Sequence, residues 1–228
     1  MKKTAAILSL AIMFSCGTKE SEKNTAGPVK DTAAGASADT AGATTETEGH
    51  RKYDIKSGIV SYEIKMEMAG VVTKSKRVLY FDDYGVKECE EEYKIDGTGA
   101  ETLDKRDFVK DGQRYICSVG SKDGLKTKGS GYGVAAPFNM DEASTMKDNK
   151  FKKLNDETIC GKTCNSFSME TPSGLITMYG RNHIVYKTTL DNPSMKMKSE
   201  TVATDVKENV EIPAEKFEVP KGVVLQNM

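Results

Sequence analysis

Residues 59–68, IVSYEIKMEM, decide the fold class, because their apolar and polar side chains alternate with a period of two. The even positions hold Val60, Tyr62, Ile64, Met66 and Met68, and the odd positions from 61 to 67 hold Ser, Glu, Lys and Glu. Successive side chains of a β-strand point to opposite faces of a sheet. The stretch therefore predicts a strand with one buried face and one face in water, as in antiparallel sheets.

Short alternating segments broken by Gly, Asp and Asn continue along the chain, which is typical of antiparallel strands. A turn at Ala69 and Gly70 and the DDYG at 82–85 join the first three predicted strands, so we expect a meander. The later predicted strands are 72–81, 87–95, 106–110, 114–119, 157–159, 163–170 and 175–179, followed by a long hairpin of 183–190 and 196–206.

One segment has the pattern of a helix. Residues 138–154, FNMDEASTMKDNKFKKL, offer Asn139 or Asp141 as a cap, acids in the first turn and lysines in the last. Its apolar stripe consists of Ala143, Met146 or Lys147, Phe151 and Leu154. We therefore expect one mid-chain helix in a mainly β (α+β) domain.

The beginning of the chain has the pattern of an export signal. Lys2 and Lys3 precede an apolar run at 4–15, which is too short for a membrane-spanning helix of roughly 20 residues. Ser15, Cys16 and Gly17 follow, and they resemble the lipobox of bacterial lipoproteins, with Met13 in place of the usual leucine. The resemblance implies cleavage before Cys16 and acylation of that residue, which anchors the protein in a membrane. An ordinary signal peptide is the alternative.

The stretch that follows the anchor is a predicted linker. Residues 17–52 are mostly Ala, Thr, Gly, Glu, Lys and Ser, with one valine and no aromatic residue, so they cannot bury enough apolar surface to fold. A flexible chain of this length has a root-mean-square reach of roughly 35 Å. The predicted organisation is a signal peptide at 1–15, the lipidated cysteine and linker at 16–52, and a β-rich domain at 53–228.

The charge of the chain excludes one class of partner. Removal of Lys2 and Lys3 with the signal leaves 31 basic against 34 acidic residues, a formal net charge of −3. A nearly neutral surface of mixed sign has no electrostatic footprint for nucleic acid. We expect a membrane contact through the anchor, and no nucleic-acid partner.

Four cysteines remain after lipidation: Cys89, Cys117, Cys160 and Cys164. In an exported chain an even count favours two disulfides, with three connectivities open. Cys160 and Cys164 flank the three residues GKT, and Cys89 and Cys117 lie in neighbouring predicted strands, so this pairing is favoured. A redox pair or a four-cysteine zinc site fits these spacings poorly.

Other catalytic or metal-binding material is scarce. His50 lies in the linker and His183 at a predicted strand start, so neither a Ser-His-Asp triad nor a histidine metal site is expected. The carboxylates at 82–83 and 88–92 are interpreted as solvated charge, and GSGYG at 129–133 as a loop. We predict no catalytic residue, metal or cofactor.

Methionines are frequent on the predicted strands and the helix, and the chain has no tryptophan. They are Met66, Met68, Met140, Met146, Met169, Met178, Met195 and Met197. Flexible thioethers suit an adaptable apolar surface, although they also fill ordinary cores.

The order of elements, closing on IPAEKFEVPKGVVL at 212–225, resembles the lipoprotein-carrier group typified by LolA and LolB. GIVSYEIK and LYFDDYG also look like parts of uncharacterised lipoproteins of Bacteroidota-type bacteria. The carrier resemblance implies a curved sheet or incomplete β-barrel whose concave face binds acyl chains. It assigns ligand contacts to Tyr62, Ile64, Met66 and Met68, with Phe151 and Leu154 of the helix as a lid.

Three functions follow as hypotheses. The leading one is an envelope lipoprotein that binds a lipid, an acyl chain or another apolar ligand without catalysis. The second is a structural or partner-binding envelope lipoprotein, and the third is a carboxylate-dependent hydrolase. Because Gly17 replaces the aspartate that retains enteric lipoproteins in the inner membrane, the outer membrane is favoured, on its periplasmic face or at the cell surface.

Overall fold

The computed structural model describes residues 51–129 and 151–227. These residues form thirteen strands: β1 (Gly58–Met68), β2 (Val71–Asp82), β3 (Lys87–Ile95), β4 (Glu101–Lys110), β5 (Gln113–Ser118), β6 (Asp123–Lys128), β7 (Phe151–Lys153), β8 (Glu157–Ile159), β9 (Lys162–Thr171), β10 (Gly174–Arg181), β11 (Ile184–Asn192), β12 (Met197–Glu208) and β13 (Val224–Asn227). Three short 3-10 helices lie at Asp83–Gly85, Pro193–Met195 and Ala214–Phe217. Within the described ranges no helix has the length and apolar character to cross a membrane.

The strands form one open curved sheet in the order β13-β6-β5-β4-β3-β2-β1-β12-β11-β10-β9-β7, and β8 pairs with β9. All pairs are antiparallel except β13 with β6. The predicted mainly β fold is confirmed, as are the opening meander and the long β11–β12 hairpin. Strand β4 begins five residues before the predicted 106, because Glu101, Thr102, Leu103 and Lys105 pair with β3.

Tight turns set the register of several hairpins. Ala69 and Gly70 have φ of 49° and 83°, and Asp111 and Gly112 have φ of 52° and 67°. Two consecutive positive φ values are characteristic of two-residue hairpin turns that match the twist of the strands. The register that follows places each even residue of β1 opposite an odd residue of β2.

The predicted helix at 138–154 is not formed at its C-terminal end. Phe151–Lys153 is strand β7, in which Phe151 pairs with Met169 of β9, and the Leu154 amide donates to the Ser166 carbonyl at 2.9 Å. Residues 138–150 of this prediction lie outside the described residues. Phe151 and Leu154 are therefore not helical lid residues, because pairing with β9 satisfies the backbone there.

The two faces of the sheet are packed differently. We call the face that carries Val60 and Tyr62 the inner face and the other the outer face. A buried cluster of the inner face comprises Tyr53, Val60, Tyr62, Leu79, Phe81, Ile159, Cys164, Ile184, Tyr186 and Ala203. A second cluster comprises Cys89, Phe108, Cys117 and Phe217 on the outer face of β3–β5, where the C-terminal segment (residues 209–223) covers them.

The β8–β9 hairpin folds over the inner face and closes it at one end. Strands β10 and β11 lie between β9 and β12 in the sheet. Nevertheless, the Cys160 thiol at the hairpin turn donates to the Ala203 carbonyl of β12 at 3.1 Å. Lys162 also pairs with Glu208 at 3.2 Å. The inner face is thus covered at the Gly58 end of β1.

Candidate functional site

A row of side chains crosses the inner face at the other end of β1. Directly paired residues of antiparallel strands lie on the same face, so the pairing of the strands defines the row. It runs Met66 (β1), Ser199 (β12), Leu190 (β11), Ile176 (β10), Met169 (β9) and Phe151 (β7). We call this set the Met66 row. Five of its six members are apolar.

Exposure along β1 shows that the row lies where the core ends. Val60 and Tyr62 are 0% and 3% exposed, whereas Met66 and Met68 are 36% and 45% exposed. The odd positions Glu63, Lys65 and Glu67 on the outer face are accessible to solvent. The predicted alternation therefore holds near Gly58, and the inner face becomes accessible toward Met68.

A second row lies one step deeper on the same face. It runs Ile64, Thr201, Thr188, Met178 and Phe167. Phe167 is 2% exposed and forms a small cluster with Phe151, Met178 and Val185. Residues of the second row therefore pack against Phe151 at the β7 end of the Met66 row.

The structure brings together some of the predicted contact residues. Met66 and Phe151 occupy the two ends of one row, and Ile64 lies in the next row. Tyr62 belongs to the core, where its hydroxyl donates to the Val185 carbonyl at 2.8 Å. Met68 lies at the β1–β2 turn and Leu154 lies outside both rows. The contacts predicted from the sequence did not include Ser199, Leu190, Ile176 or Met169 of this row.

A cleft of about 540 Å³ opens between the β1–β2 turn and the β11–β12 connection. Its lining is mixed in polarity: Glu67, Ala69, Gly70, Asp191, Asn192, Pro193, Lys196, Met197 and Lys198. The Ala69 amide donates to the Lys196 carbonyl at 3.0 Å, which joins the two turns. Glu67, Asp191 and Lys198 of this lining lie on the outer face, so the cleft is not part of the Met66 row.

The interpretation of residues 88–92 as solvated charge is wrong for two of them. Glu88 and Glu91 are 2% and 1% exposed. Burial raises the pKa of Glu88, although Lys52 donates to both of its oxygens at 2.7 Å and the Tyr53 hydroxyl donates to one. Glu88 lies on the inner face, and Glu91, three residues along the strand, lies on the outer face. These buried acids cannot converge on one substrate as a hydrolytic pair.

A further finding concerns the candidate metal ligands of the described residues. In residues 51–129 and 151–227, no group of three or more His, Cys, Asp or Glu side chains could hold a metal ion. His183 lies in the β10–β11 turn with φ of 61°, and its Nδ1 is 3.2 Å from Asp54 Oδ1. This contact links the β10–β11 turn to the segment that precedes β1.

None of the predicted disulfides is formed, since the four cysteines from 89 to 164 are free thiols. Cys89 and Cys117 lie on β3 and β5, with β4 between them. Two strand spacings amount to about 9.6 Å, which exceeds the Cα separation of a disulfide, about 7 Å at most. Cys160 is exposed at its turn, whereas Cys164 is fully buried in the inner cluster.

We expect thiol titration to confirm this state in a chain with Cys16→Ser. Burial raises the pKa of Cys89 to about 12 and that of Cys164 to about 11, so both thiols are protonated and unreactive at neutral pH. Without reductant, about one thiol per chain should react with Ellman's reagent under native conditions, and about four in denaturant. Two or fewer in denaturant would show that a disulfide forms.

Comparison with known proteins identifies the fold and no family. No family model matches the chain, and no curated protein matches its sequence. An uncharacterised conserved protein from Thermus thermophilus is similar over 78% of this chain and 94% of its own, with a TM-score of 0.52 at 6% identity. This likeness shows a shared fold.

Two further solved structures are similar at lower scores. The Pseudomonas aeruginosa MucA/MucB complex matches over 76% of this chain and 59% of that chain, with a TM-score of 0.46 at 12% identity. A LolA superfamily protein from Nitrosomonas europaea matches over 74% of this chain and 93% of that chain, with a TM-score of 0.35 at 9% identity.

Proposed function

We propose that this protein is a lipid-anchored envelope protein that binds an acyl chain or a similar apolar ligand on its inner face, without catalysis. The observation that carries the proposal is the Met66 row, an apolar strip that spans six strands and begins at the accessible Met66. Accessible apolar strips on an otherwise polar surface mark binding sites.

The dimensions and chemistry of the row suit an extended hydrocarbon chain. Five strand spacings separate β1 from β7, which corresponds to about 24 Å along the sheet. Met66 and Met169 contribute flexible thioethers that adapt to ligands of different shape. The closed Gly58 end blocks the deeper part of the face, so a ligand enters from the Met68 end.

The anchor and the linker complete the proposal. Acylation of Cys16 would hold the chain at a membrane through the linker at 17–52, whose fully extended length is about 120 Å. The linker meets the domain where the Lys52 and Tyr53 amides donate to the Tyr84 carbonyl at 2.9 and 3.1 Å. That site is near the closed end of β1, and Gly58 and Met68 at the two ends of this strand are about 33 Å apart over ten residue steps. The described chain thus begins near the closed end of β1, and we place the domain in the periplasm or at the cell surface of an outer membrane.

A pair of adjacent substitutions tests the binding face. Ile176 lies in the Met66 row, and its neighbour Leu175, 46% exposed, lies on the outer face. Titration of the Cys16→Ser chain with a dansylated fatty acid should give saturable binding. Ile176→Glu should weaken it by at least about tenfold, because the ligand would desolvate an unpaired carboxylate. Leu175→Glu should leave the affinity within about twofold.

Equal effects of the two substitutions would contradict an inner-face site. Absence of saturable binding to the unsubstituted chain would contradict acyl binding itself and favour the partner-binding envelope protein. Circular dichroism of both variants controls for folding.

A further inference from the structure

Three hydroxyl side chains interrupt the two rows that cross the inner face from β1. Thr201 of β12 and Thr188 of β11 are directly paired. Ser199 lies two residues before Thr201 on the same strand and the same face. We call Thr188, Ser199 and Thr201 the hydroxyl stripe. All three are partly exposed.

The hydroxyl stripe makes no side-chain hydrogen bond within residues 51–129 and 151–227. Thr171 and Ser166, on β9 of the same sheet, donate to the carbonyls of Gly174 and Asn155 at 2.9 and 2.6 Å. In contrast, none of the three hydroxyls of the stripe donates to an acceptor within the described part of the chain. Each is free to donate one hydrogen bond to a ligand.

The stripe lies between two apolar columns. Ile64 and Met66 of β1 are on one side, and Ile176 and Met178 of β10 are on the other. Strands β12 and β11 lie between β1 and β10, so the columns are about 14 Å apart over three strand spacings. A ligand that covers both columns therefore places its middle over the hydroxyls.

We propose that the hydroxyl stripe recognises the ester carbonyls of an acyl lipid, so that the site selects ester-linked acyl lipids over hydrocarbon or ether-linked chains. This inference rests on the proposed function and names the ligand class of the same site. A pure hydrocarbon would cover the hydroxyls without offering acceptors, and unsatisfied polar groups that lose water are costly. An ester carbonyl accepts hydrogen bonds from Thr188 and Thr201, and its acyl chain extends over an apolar column.

The test uses two lipids that differ only in the carbonyls. Vesicles of diacyl phosphatidylcholine and of dialkyl-ether phosphatidylcholine with equal chain lengths are mixed at a one-to-one ratio with the Cys16→Ser chain. Lipid bound to the recovered protein is quantified by mass spectrometry. The unsubstituted chain should take up the diacyl lipid with roughly a three- to tenfold preference, as expected for one or two hydrogen bonds.

Matched double variants separate recognition from folding. Thr188→Val with Thr201→Val replaces the cross-strand pair of the inner face and should reduce the preference to about onefold while ether lipid still binds. Thr177→Val with Thr189→Val replaces the cross-strand pair of the outer face and should keep the preference. Valine keeps the shape of threonine and suits a strand.

The outcomes distinguish this inference from the proposed function. Equal uptake of both lipids by the unsubstituted chain, or the same loss of preference in both double variants, would overturn ester recognition and leave acyl binding in place. No uptake of either lipid would overturn the proposed function, and the inference with it.

Discussion

Replacing Glu91 by alanine should lower the free energy of unfolding by about 3–5 kcal/mol, because it leaves two largely buried cations without their counterion. The Glu91 carboxylate accepts hydrogen bonds from four side chains: Lys216 at 2.9 and 3.0 Å, Arg106 at 2.8 Å, Tyr93 at 2.8 Å and Tyr80 at 3.1 Å. Lys216 belongs to the C-terminal segment, so the loss should also release that segment from the outer face.

Urea denaturation measures the change, and amide hydrogen exchange at 209–223 measures the release. Glu92→Ala is the matched control. Glu92 is the next residue on β3, its side chain is 43% exposed, and it pairs with Lys105 at 3.0 Å. An exposed pair contributes about 0–1 kcal/mol. Equal losses in the two variants would contradict the role given to burial.

The same carboxylate should give the stability a specific pH dependence. Burial alone would raise its pKa, but hydrogen bonds from Lys216 and Tyr93 and the charges of Lys216 and Arg106 outweigh burial and hold the pKa of Glu91 below its ordinary value. Its contribution is therefore present above the unfolded-state pKa of about 4.3 and is lost as the pH falls through the folded-state pKa. The stability difference between the unsubstituted chain and Glu91→Gln should be constant above about pH 5 and shrink below about pH 4.

Phe108→Ala should cost about 3–5 kcal/mol of stability and leave ligand affinity unchanged. Phe108 is 1% exposed, and its ring stacks on Tyr115 with the centroids 4.8 Å apart. It belongs to the outer cluster under the C-terminal segment, so its removal creates a cavity on the face opposite the proposed site.

Phe151→Ala provides the reciprocal case. Phe151 is only partly buried and ends the Met66 row, so its loss should cost less stability than that of Phe108 and weaken binding of the dansylated fatty acid. Thermal unfolding and fluorescence titration of both variants give the comparison. If Phe151→Ala binds the dansylated fatty acid as tightly as the unsubstituted chain, the β7 end of the Met66 row does not contact the ligand.

The local pattern of the chain predicted the strands but not their distant neighbours. The alternation from Val60 to Met68 predicted β1, and the Ala69 and Gly70 turn predicted its pairing with β2. The pairing of β1 with β12 joins residues about 140 positions apart, and no local pattern encodes it. The Met66 row depends on a chain of such pairings, which is why only its ends at Met66 and Phe151 were among the predicted contacts.

Two errors have the same physical origin. The acids and lysines around 138–154 satisfied the signals of a helix, but at the C-terminal end of this stretch Phe151 pairs with Met169 and packs on Phe167 instead of forming a helical turn. Glu91 stands in an acidic run whose composition is typical of solvated charge, and it is buried because Lys216, 125 residues away, neutralises it. Tertiary contacts decided the outcome at both places.

Native mass spectrometry of the exported Cys16→Ser chain, before and after incubation with diacyl vesicles, tests most directly whether the inner face binds acyl lipid. We predict one lipid of defined mass per chain, retained by Leu175→Glu and lost in Ile176→Glu. A mass equal to that of the polypeptide alone under both conditions would contradict the account.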